Sequence, residues 1–280
     1  MELNLGIRAH DMGDMSLEEL PKAISEKGLG SIQLALKKSF KNLNTDNGSL
    51  SPGYAHHIRK AFEKESVQIA VLGCYINMIH PEYYERRKAL ERFKEHIRFA
   101  RDFGCSIVGT ETGSVLPGMG YTEGNFGEQP FLDVVESVRE LVAEAEKFGV
   151  IVGIEGGINH PINTPQRMKR LLDSVKSNNL QVIFDPANFI TIENYQEQEA
   201  VMEEAMELFG DRIVVMHAKD FIIGNNWVKM TPVGKGLLNY DAVFQLLKAK
   251  KPFVQVLLEN TKEPFLDESI AYVREKFARA

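Results

Sequence analysis

The chain contains little cysteine and no long apolar run. Cys74 and Cys105 are the only cysteines among 280 residues, and each lies in a strand-like segment. This pattern favours small buried thiols and a reducing compartment over a disulfide framework. No apolar run approaches the length of a membrane span, and the chain start lacks the basic and apolar regions of a signal peptide. We therefore expect a cytoplasmic protein that does not bind a membrane.

Positive charge is not in excess either. Lysine and arginine number 33 against 39 acidic residues, and the net charge of -6 argues against a protein that holds nucleic acid by its phosphates. Apolar content of 44% and charged content of 26% are ordinary for a globular enzyme. The length fits one large α/β barrel or two small domains.

Strand-like and helix-like segments alternate along the whole chain. The strand-like runs begin near Leu3, Ser31, Val67, Cys105, Val150, Gln181, Arg212 and Phe253. Helix start signals lie between them, such as the capping box Ser16-Leu-Glu-Glu19 and the pair Thr164-Pro165. Eight such units predict an α/β fold of the (β/α)₈ TIM barrel type, as a single domain over residues 1–280. An open doubly wound sheet is the alternative, but no glycine-rich phosphate fingerprint follows the first strand.

Four polar residues each end a buried strand-like run in the second half of the chain. The runs are Val150–Glu155, Gln181–Asp185, Arg212–His217 and Phe253–Glu259. A carboxylate in a strand buried on both faces is costly unless a partner compensates it. Because barrel enzymes carry their functional groups at the C-terminal strand ends, we expect all four to converge at the barrel mouth. Three carboxylates and one imidazole predict a divalent-metal site.

These residues and the motifs around them resemble the xylose isomerase-like sugar isomerases and epimerases. The matching segments are Gly153-Ile-Glu155, Phe184-Asp185-Pro-Ala-Asn188, His217-Ala-Lys-Asp220, Gly234-Lys-Gly236 and Leu258-Glu259-Asn260. The resemblance implies that Glu155, Asp185, His217 and Glu259 bind one divalent metal, commonly Mn²⁺. It also implies that Glu155 and Glu259 act as acid and base on a sugar or sugar phosphate, and it leaves a homo-oligomer open.

The chemistry of these residue types agrees with that assignment. A carbon–hydrogen bond next to a carbonyl is weakly acidic, and a metal that chelates the neighbouring oxygens stabilises the enediolate formed from it. Two glutamates can remove and return the proton, which gives epimerisation or aldose–ketose isomerisation. Hard oxygen ligands with one nitrogen favour Mn²⁺, Mg²⁺ or Co²⁺ over a thiolate-type Zn²⁺ site.

Further residues near the predicted mouth are candidates for substrate binding. Four potentially cationic groups could bind a phosphate or carboxylate of the substrate: Arg8, His10, Lys219 and Lys235. The alternative is that Lys219 pairs with a metal-site carboxylate and that the other three are solvated. His80 and Glu111 are further candidates for substrate contacts. Trp227 is another candidate, because its ring could stack on a sugar face. Many epimerases of this family have a histidine where this chain has Asn188, and an amide cannot transfer a proton.

Two other functions fit the same layout less well. A dehydratase acting on a keto-inositol or similar polyol begins with the same proton abstraction, but it needs an acid that the sequence does not identify. An endonuclease IV-like DNA repair enzyme shares the barrel and needs three zinc ions with additional histidine ligands. Those histidines are missing after strand three, at Asn188 and after His217. We therefore expect a small-molecule substrate and no nucleic-acid partner.

Overall fold

Eight parallel strands close into a barrel. The structure is a computed structural model that describes residues 2–225 and 227–280. The barrel strands are β1 (Leu5–Arg8), β2 (Ser31–Leu34), β3 (Gln68–Gly73), β4 (Ile107–Glu111), β5 (Ile151–Glu155), β6 (Leu180–Phe184), β7 (Ile213–Ala218) and β10 (Gln255–Leu258). Their order around the barrel is β1-β10-β7-β6-β5-β4-β3-β2, with β1 and β2 also paired. The predicted (β/α)₈ barrel is confirmed.

Helices cover the outside of the barrel and return the chain to the start of the next strand. They are α1 (Glu19–Glu26), α2 (Leu36–Ser39), α3 (Pro52–Lys64), α4 (Tyr83–Phe99), α5 (Glu128–Phe148), α6 (Pro165–Val175), α7 (Gln198–Phe209), α8 (Tyr240–Lys250) and α9 (Leu266–Arg279). The capping box before α1 is present, because Ser16 and Glu19 exchange backbone-to-side-chain hydrogen bonds of 3.0 and 3.2 Å. None of the described helices is both long and apolar enough to span a bilayer.

A short antiparallel hairpin follows β7 and was not predicted from the sequence. Its strands are β8 (Asp220–Gly224) and β9 (Trp227–Thr231), which pair only with each other. The sequence of this segment does not show the strict alternation of a half-buried sheet, and most of β9 is partly exposed. The hairpin lies beside the barrel mouth and contributes residues to the cavity there.

The interior of the barrel is filled by apolar side chains. The buried residues of this inner cluster are Ala70, Val71, Ile107, Ile183, Val215 and Leu257. Two glycines make room for Ile183, because a Cβ atom at Gly109 or Gly153 would lie 2.6 or 3.0 Å from its Cδ1. Since this packing leaves no channel, open space for a ligand begins at the C-terminal ends of the strands.

Both cysteines are buried and free, as the sequence predicted. Burial raises the pKa of the Cys74 thiol to about 12 and that of Cys105 to about 11. The two thiols are therefore protonated and unreactive at neutral pH.

Candidate metal centre

The barrel brings the four strand-end residues together at its mouth. Glu155 is the last residue of β5, and His217 is the second-to-last residue of β7. Asp185 directly follows β6, and Glu259 directly follows β10. All four are at most 5% exposed. One ligand atom from each lies within 4.8 Å of the others, and among the described residues this is the only such group of three or more metal-binding side chains. A three-zinc centre of the endonuclease IV type therefore has no basis in these residues.

Buried cations and an imidazole balance the carboxylates of the centre. His217 Nδ1 lies 3.1 Å from Glu155 Oε2 and 2.9 Å from Glu259 Oε2. Lys219 Nζ lies 2.9 Å from both Asp185 Oδ2 and Glu259 Oε1, and an Arg8 nitrogen lies 2.9 Å from Glu259 Oε1. Removing any of these partners would leave a buried charge without compensation, which is strongly unfavourable.

The shifted pKa values show how strongly these groups interact. Burial raises the pKa of Asp185 to about 7, although the Lys219 charge opposes the shift. Burial alone would lower the pKa of His217, but the carboxylates of Glu155 and Glu259 outweigh it and raise that pKa to about 10. Burial would likewise raise the pKa of Glu259, yet Lys219, His217 and Arg8 hold it well below its usual range. Glu259 is therefore ionised at neutral pH.

The donor atoms fit a divalent cation. Asp185 Oδ2, His217 Nδ1 and Glu259 Oε2 are buried and make no hydrogen bond with any residue in 2–225 or 227–280. Their charged neighbours lie 2.9 to 3.1 Å away as ion pairs. A cation placed among three carboxylates and one imidazole would satisfy these atoms, and this ligand set suits hard divalent metals.

Gln33 on β2 forms a hydrogen bond with the His217 ring nitrogen that faces away from the carboxylates, and the sequence analysis did not identify it. Its side-chain oxygen lies 2.8 Å from His217 Nε2, and its side-chain nitrogen donates to the Tyr75 hydroxyl at 2.6 Å. A proton held on Nε2 leaves Nδ1 to face the carboxylates, as a metal-binding histidine requires. The available signal was a glutamine inside the buried strand Ser31–Leu34, where Gln33 is 1% exposed.

A cavity of about 1130 Å³ opens above the centre. The predicted site residues that line it are Arg8, Glu111, Asn188, Lys219, Trp227 and Glu259. Asn188 donates a hydrogen bond of 2.7 Å to Glu155 Oε1, so the amide positions a candidate catalytic carboxylate. Trp227 is 51% exposed at the cavity rim on β9.

One histidine that the sequence analysis left out also lines the cavity. His160 Nδ1 donates a hydrogen bond of 2.9 Å to the carbonyl oxygen of Gly113, and its Nε2 lies 3.9 Å from Glu111 Oε2. Burial, and then the nearby charge of Glu155, raise the pKa of Glu111. His160 lies in the loop after β5, and only the folded chain brings it next to the end of β4.

Three predicted substrate contacts lie outside the cavity lining. His10 packs edge-on against Tyr75, and burial lowers its pKa to about 4, so it is neutral. The His80 ring accepts a hydrogen bond from the Glu82 backbone and lines a different cavity. Lys235 pairs with Glu268 on α9. The four candidate cations therefore do not form one group in the cavity lining. Lys219 pairs with metal-site carboxylates, as in the alternative, but Arg8 is not solvated, because it is 9% exposed and pairs with Asp11 and Glu259.

Asp220 links the sequence motif His217-Ala-Lys-Asp220 to the motif Gly234-Lys-Gly236. Its carboxylate accepts four backbone N–H groups, those of Phe221, Gly234, Gly236 and Leu238, at 2.8 to 3.0 Å. A Cβ atom at position 236 would lie 2.3 Å from Asp220 Oδ1, so glycine is needed there. The Asp220 side chain therefore holds the end of the segment His217–Asp220 against the segment Gly234–Gly236.

We expect Asp220→Asn to destabilise the protein by about 2 kcal/mol, because an amide group replaces one acceptor oxygen with a donor that faces buried N–H groups. Urea unfolding followed by circular dichroism measures the change. The matched control is Asp173→Asn, which breaks an exposed ion pair with Lys169 within α6 and should cost less than about 0.5 kcal/mol. Equal midpoints for the two variants would contradict the structural role of Asp220.

Comparison with known proteins agrees with the fold. The family model of the xylose isomerase-like TIM barrel matches residues 21–276. The chain belongs to this family. No functionally curated protein matches the sequence.

Solved structures at low sequence identity have the same barrel. A 3-keto-D-glucoside 4-epimerase from E. coli has 17% identity and a TM-score of 0.74, and the match covers 98% of this chain and 100% of that one. A probable 3-DHS dehydratase from Bacillus anthracis has 17% identity and a TM-score of 0.73, with 98% of each chain covered. A xylose isomerase-like TIM barrel protein from Mycobacterium smegmatis in complex with magnesium has 17% identity and a TM-score of 0.71. The match covers 99% of this chain and 97% of that one. At such identities the match shows a shared fold.

Proposed function

We propose that this protein is a divalent-metal-dependent epimerase or aldose–ketose isomerase that moves a proton at a carbon next to the carbonyl of a sugar or sugar phosphate. The observation that supports this best is the placement of Glu155 and Glu259. Both are buried, Glu155 at the end of β5 and Glu259 directly after β10, and β6 and β7 lie between these two strands. His217 Nδ1 lies 3.1 Å from Glu155 Oε2 and 2.9 Å from Glu259 Oε2, and Glu259 lines the large cavity. Two carboxylates arranged around one bound substrate provide a base and an acid.

Glu155, Asp185, His217 and Glu259 would hold the metal, with Mn²⁺ as the first choice and Mg²⁺, Co²⁺ or Zn²⁺ as alternatives. When bound, such a metal acts as a Lewis acid that stabilises negative charge on the oxygen atoms of the substrate. The similarity to a family member in complex with magnesium supports a divalent cation at this position.

The chain's own residues would move the proton. One glutamate, ionised at the start, would take the proton from the carbon next to the carbonyl, which leaves an enediolate, and the other, protonated at the start, would return a proton. Return to the opposite face of the same carbon inverts its configuration. Return to the adjacent carbon, together with transfer of the neighbouring hydroxyl proton to the former carbonyl oxygen, interconverts an aldose and a ketose. Arg8, Lys219 and His217 keep Glu259 ionised, and Asn188 orients Glu155 by its hydrogen bond. Asn188 itself has no proton to transfer, so both steps fall to the glutamates.

A dehydratase is the second candidate, and Glu111 is the observation that favours it. Elimination of a β-hydroxyl needs an acid near the leaving oxygen, and burial of a carboxyl group favours its protonated form. Glu111 lines the cavity, burial raises its pKa, and its carboxylate lies beside His160. The structural similarity to a probable 3-DHS dehydratase is consistent with this reaction.

Deuterium incorporation tests the proposal directly. The protein is treated with chelator, reloaded with Mn²⁺, and incubated in D₂O with ketoses, their phosphates and keto-inositols, and the products are followed by NMR. We expect metal-dependent exchange at a carbon next to a carbonyl, and the chelator-treated protein is the control. The labelled carbon distinguishes epimerisation from isomerisation, whereas loss of water from the substrate identifies a dehydratase. Tight metal binding without exchange into any of these substrates would contradict the proposed reaction.

A further inference from the structure

A second cavity lies beside the barrel mouth, away from the metal centre. Its volume is about 400 Å³, within the range of small-ligand pockets, and it is bounded by α2, the loop after β3 and the part of α4 from Glu85 to His96. It shares no lining residue with the larger cavity. Tyr75 stands between the two, because its hydroxyl accepts from Gln33 beside His217 while Lys38 Nζ lies 3.9 Å from its ring centre.

Positive charge is concentrated around this cavity. Lys37, Lys38, Lys88 and Arg92 line it, and Glu85 is the single lining carboxylate. No carboxylate of the described residues forms an ion pair with any of the four cations, in contrast to Arg8 and Lys219 at the metal centre. A local excess of three positive charges in a protein of net charge -6 is a strong departure from its average surface.

His96 in the cavity lining is suited to a ligand that also has hydroxyl groups. His96 lines the cavity, and its Nδ1 lies 2.8 Å from the carbonyl oxygen of Arg92. Burial lowers the pKa of His96 to about 4, so the ring is neutral and Nδ1 carries the proton that this carbonyl accepts. Its Nε2 is then an acceptor, which can receive a hydrogen bond from a ligand hydroxyl.

We propose that this cavity is a binding site for a small oxyanion of the phosphate-monoester type, held by Lys37, Lys38, Lys88 and Arg92. Ammonium and guanidinium groups that lack carboxylate partners are the usual means by which proteins bind phosphate. The anion is either the phosphate of the substrate or that of a separate phosphorylated molecule, and both present the same group to the same cations. The site is independent of the proposed reaction, because binding can be measured without turnover.

Titration with inorganic phosphate at constant ionic strength, followed by calorimetry, tests the site. We expect saturable binding with the same affinity in metal-loaded and chelator-treated protein, since the cavity is separate from the metal centre. Lys37→Gln/Lys38→Gln should raise the Kd about tenfold, because two charged donors are lost. The matched control is Lys60→Gln/Lys64→Gln on α3, where two exposed lysines lie outside this cavity and the Kd should change by less than about twofold.

Three results would overturn the proposal: no saturable binding, binding that requires the metal, or an equal loss of affinity in both double variants. Two results support it and identify the source of the anion. If Lys37→Gln/Lys38→Gln raises KM for a ketose phosphate and leaves KM for the neutral ketose unchanged, the phosphate belongs to the substrate. If phosphate binding is weakened while both KM values are unchanged, the ligand is a separate phosphorylated molecule.

Discussion

Glu155→Gln and Glu259→Gln should each lower the rate of deuterium exchange by about 10³-fold, because each removes one of the two groups that transfer the proton. The measurement is metal-dependent exchange at a saturating substrate concentration, with metal binding determined separately by calorimetry. We also expect Glu259→Gln to be the less stable variant. Its carboxylate balances Arg8, Lys219 and His217, whereas Glu155 faces only His217 and the Asn188 amide.

The matched control for both variants is Glu193→Gln. Glu193 lines the same cavity but is exposed, so its replacement should leave the exchange rate within about twofold of the unmodified protein. A near-normal rate in either Glu155→Gln or Glu259→Gln would rule out the two-carboxylate mechanism. A rate loss explained entirely by metal loss would leave that residue as a ligand without a role in proton transfer.

Lys219→Met should destabilise the metal-free protein by about 3 kcal/mol, since it leaves two buried carboxylates without their shared cation. Lys219 is 4% exposed, and its Nζ atom lies 2.9 Å from both Asp185 Oδ2 and Glu259 Oε1. A divalent metal would replace the lost positive charge. We therefore expect the stability loss to be smaller with Mn²⁺ present, when both conditions are compared by urea unfolding.

Lys235→Met is the control for that experiment, because it removes a lysine of the same chain region whose partner, Glu268, is exposed. An exposed ion pair of this kind contributes less than about 1 kcal/mol, and the loss should not depend on metal. If the two lysine variants lose the same stability, or if Mn²⁺ does not reduce the loss in Lys219→Met, the carboxylate cluster does not bind the metal as proposed.

The barrel and the four residues of the centre could be predicted from the sequence because both depend on local signals. Each barrel strand is a short apolar run bounded by helix caps, and the predicted strand starts lie close to the observed ones, as for β2 at Ser31. A carboxylate or imidazole at the end of such a run is conspicuous because burial makes it costly. Parallel strands in a closed barrel place those ends together without further information.

Residues that act through distant partners could not be identified in the same way. Gln33 is 184 residues from His217, and nothing near either residue indicates the hydrogen bond between them. The hairpin β8–β9 was missed because, among the described strands, these two pair only with each other and most of their residues are half-buried or exposed without regular alternation. His160 likewise reaches the cavity through a loop whose course depends on its contact with Gly113.

The amino-acid sequence alone determined the barrel and the convergence of Glu155, Asp185, His217 and Glu259, because hydrophobic periodicity and the cost of buried charge are local properties. The tertiary structure decided which cations are already neutralised. Arg8 and Lys219 are paired with carboxylates of the centre, whereas Lys37, Lys38, Lys88 and Arg92 surround a cavity with a single acidic residue. Charge pairing depends on distances of a few ångströms between residues far apart in the chain, and only folding sets those distances.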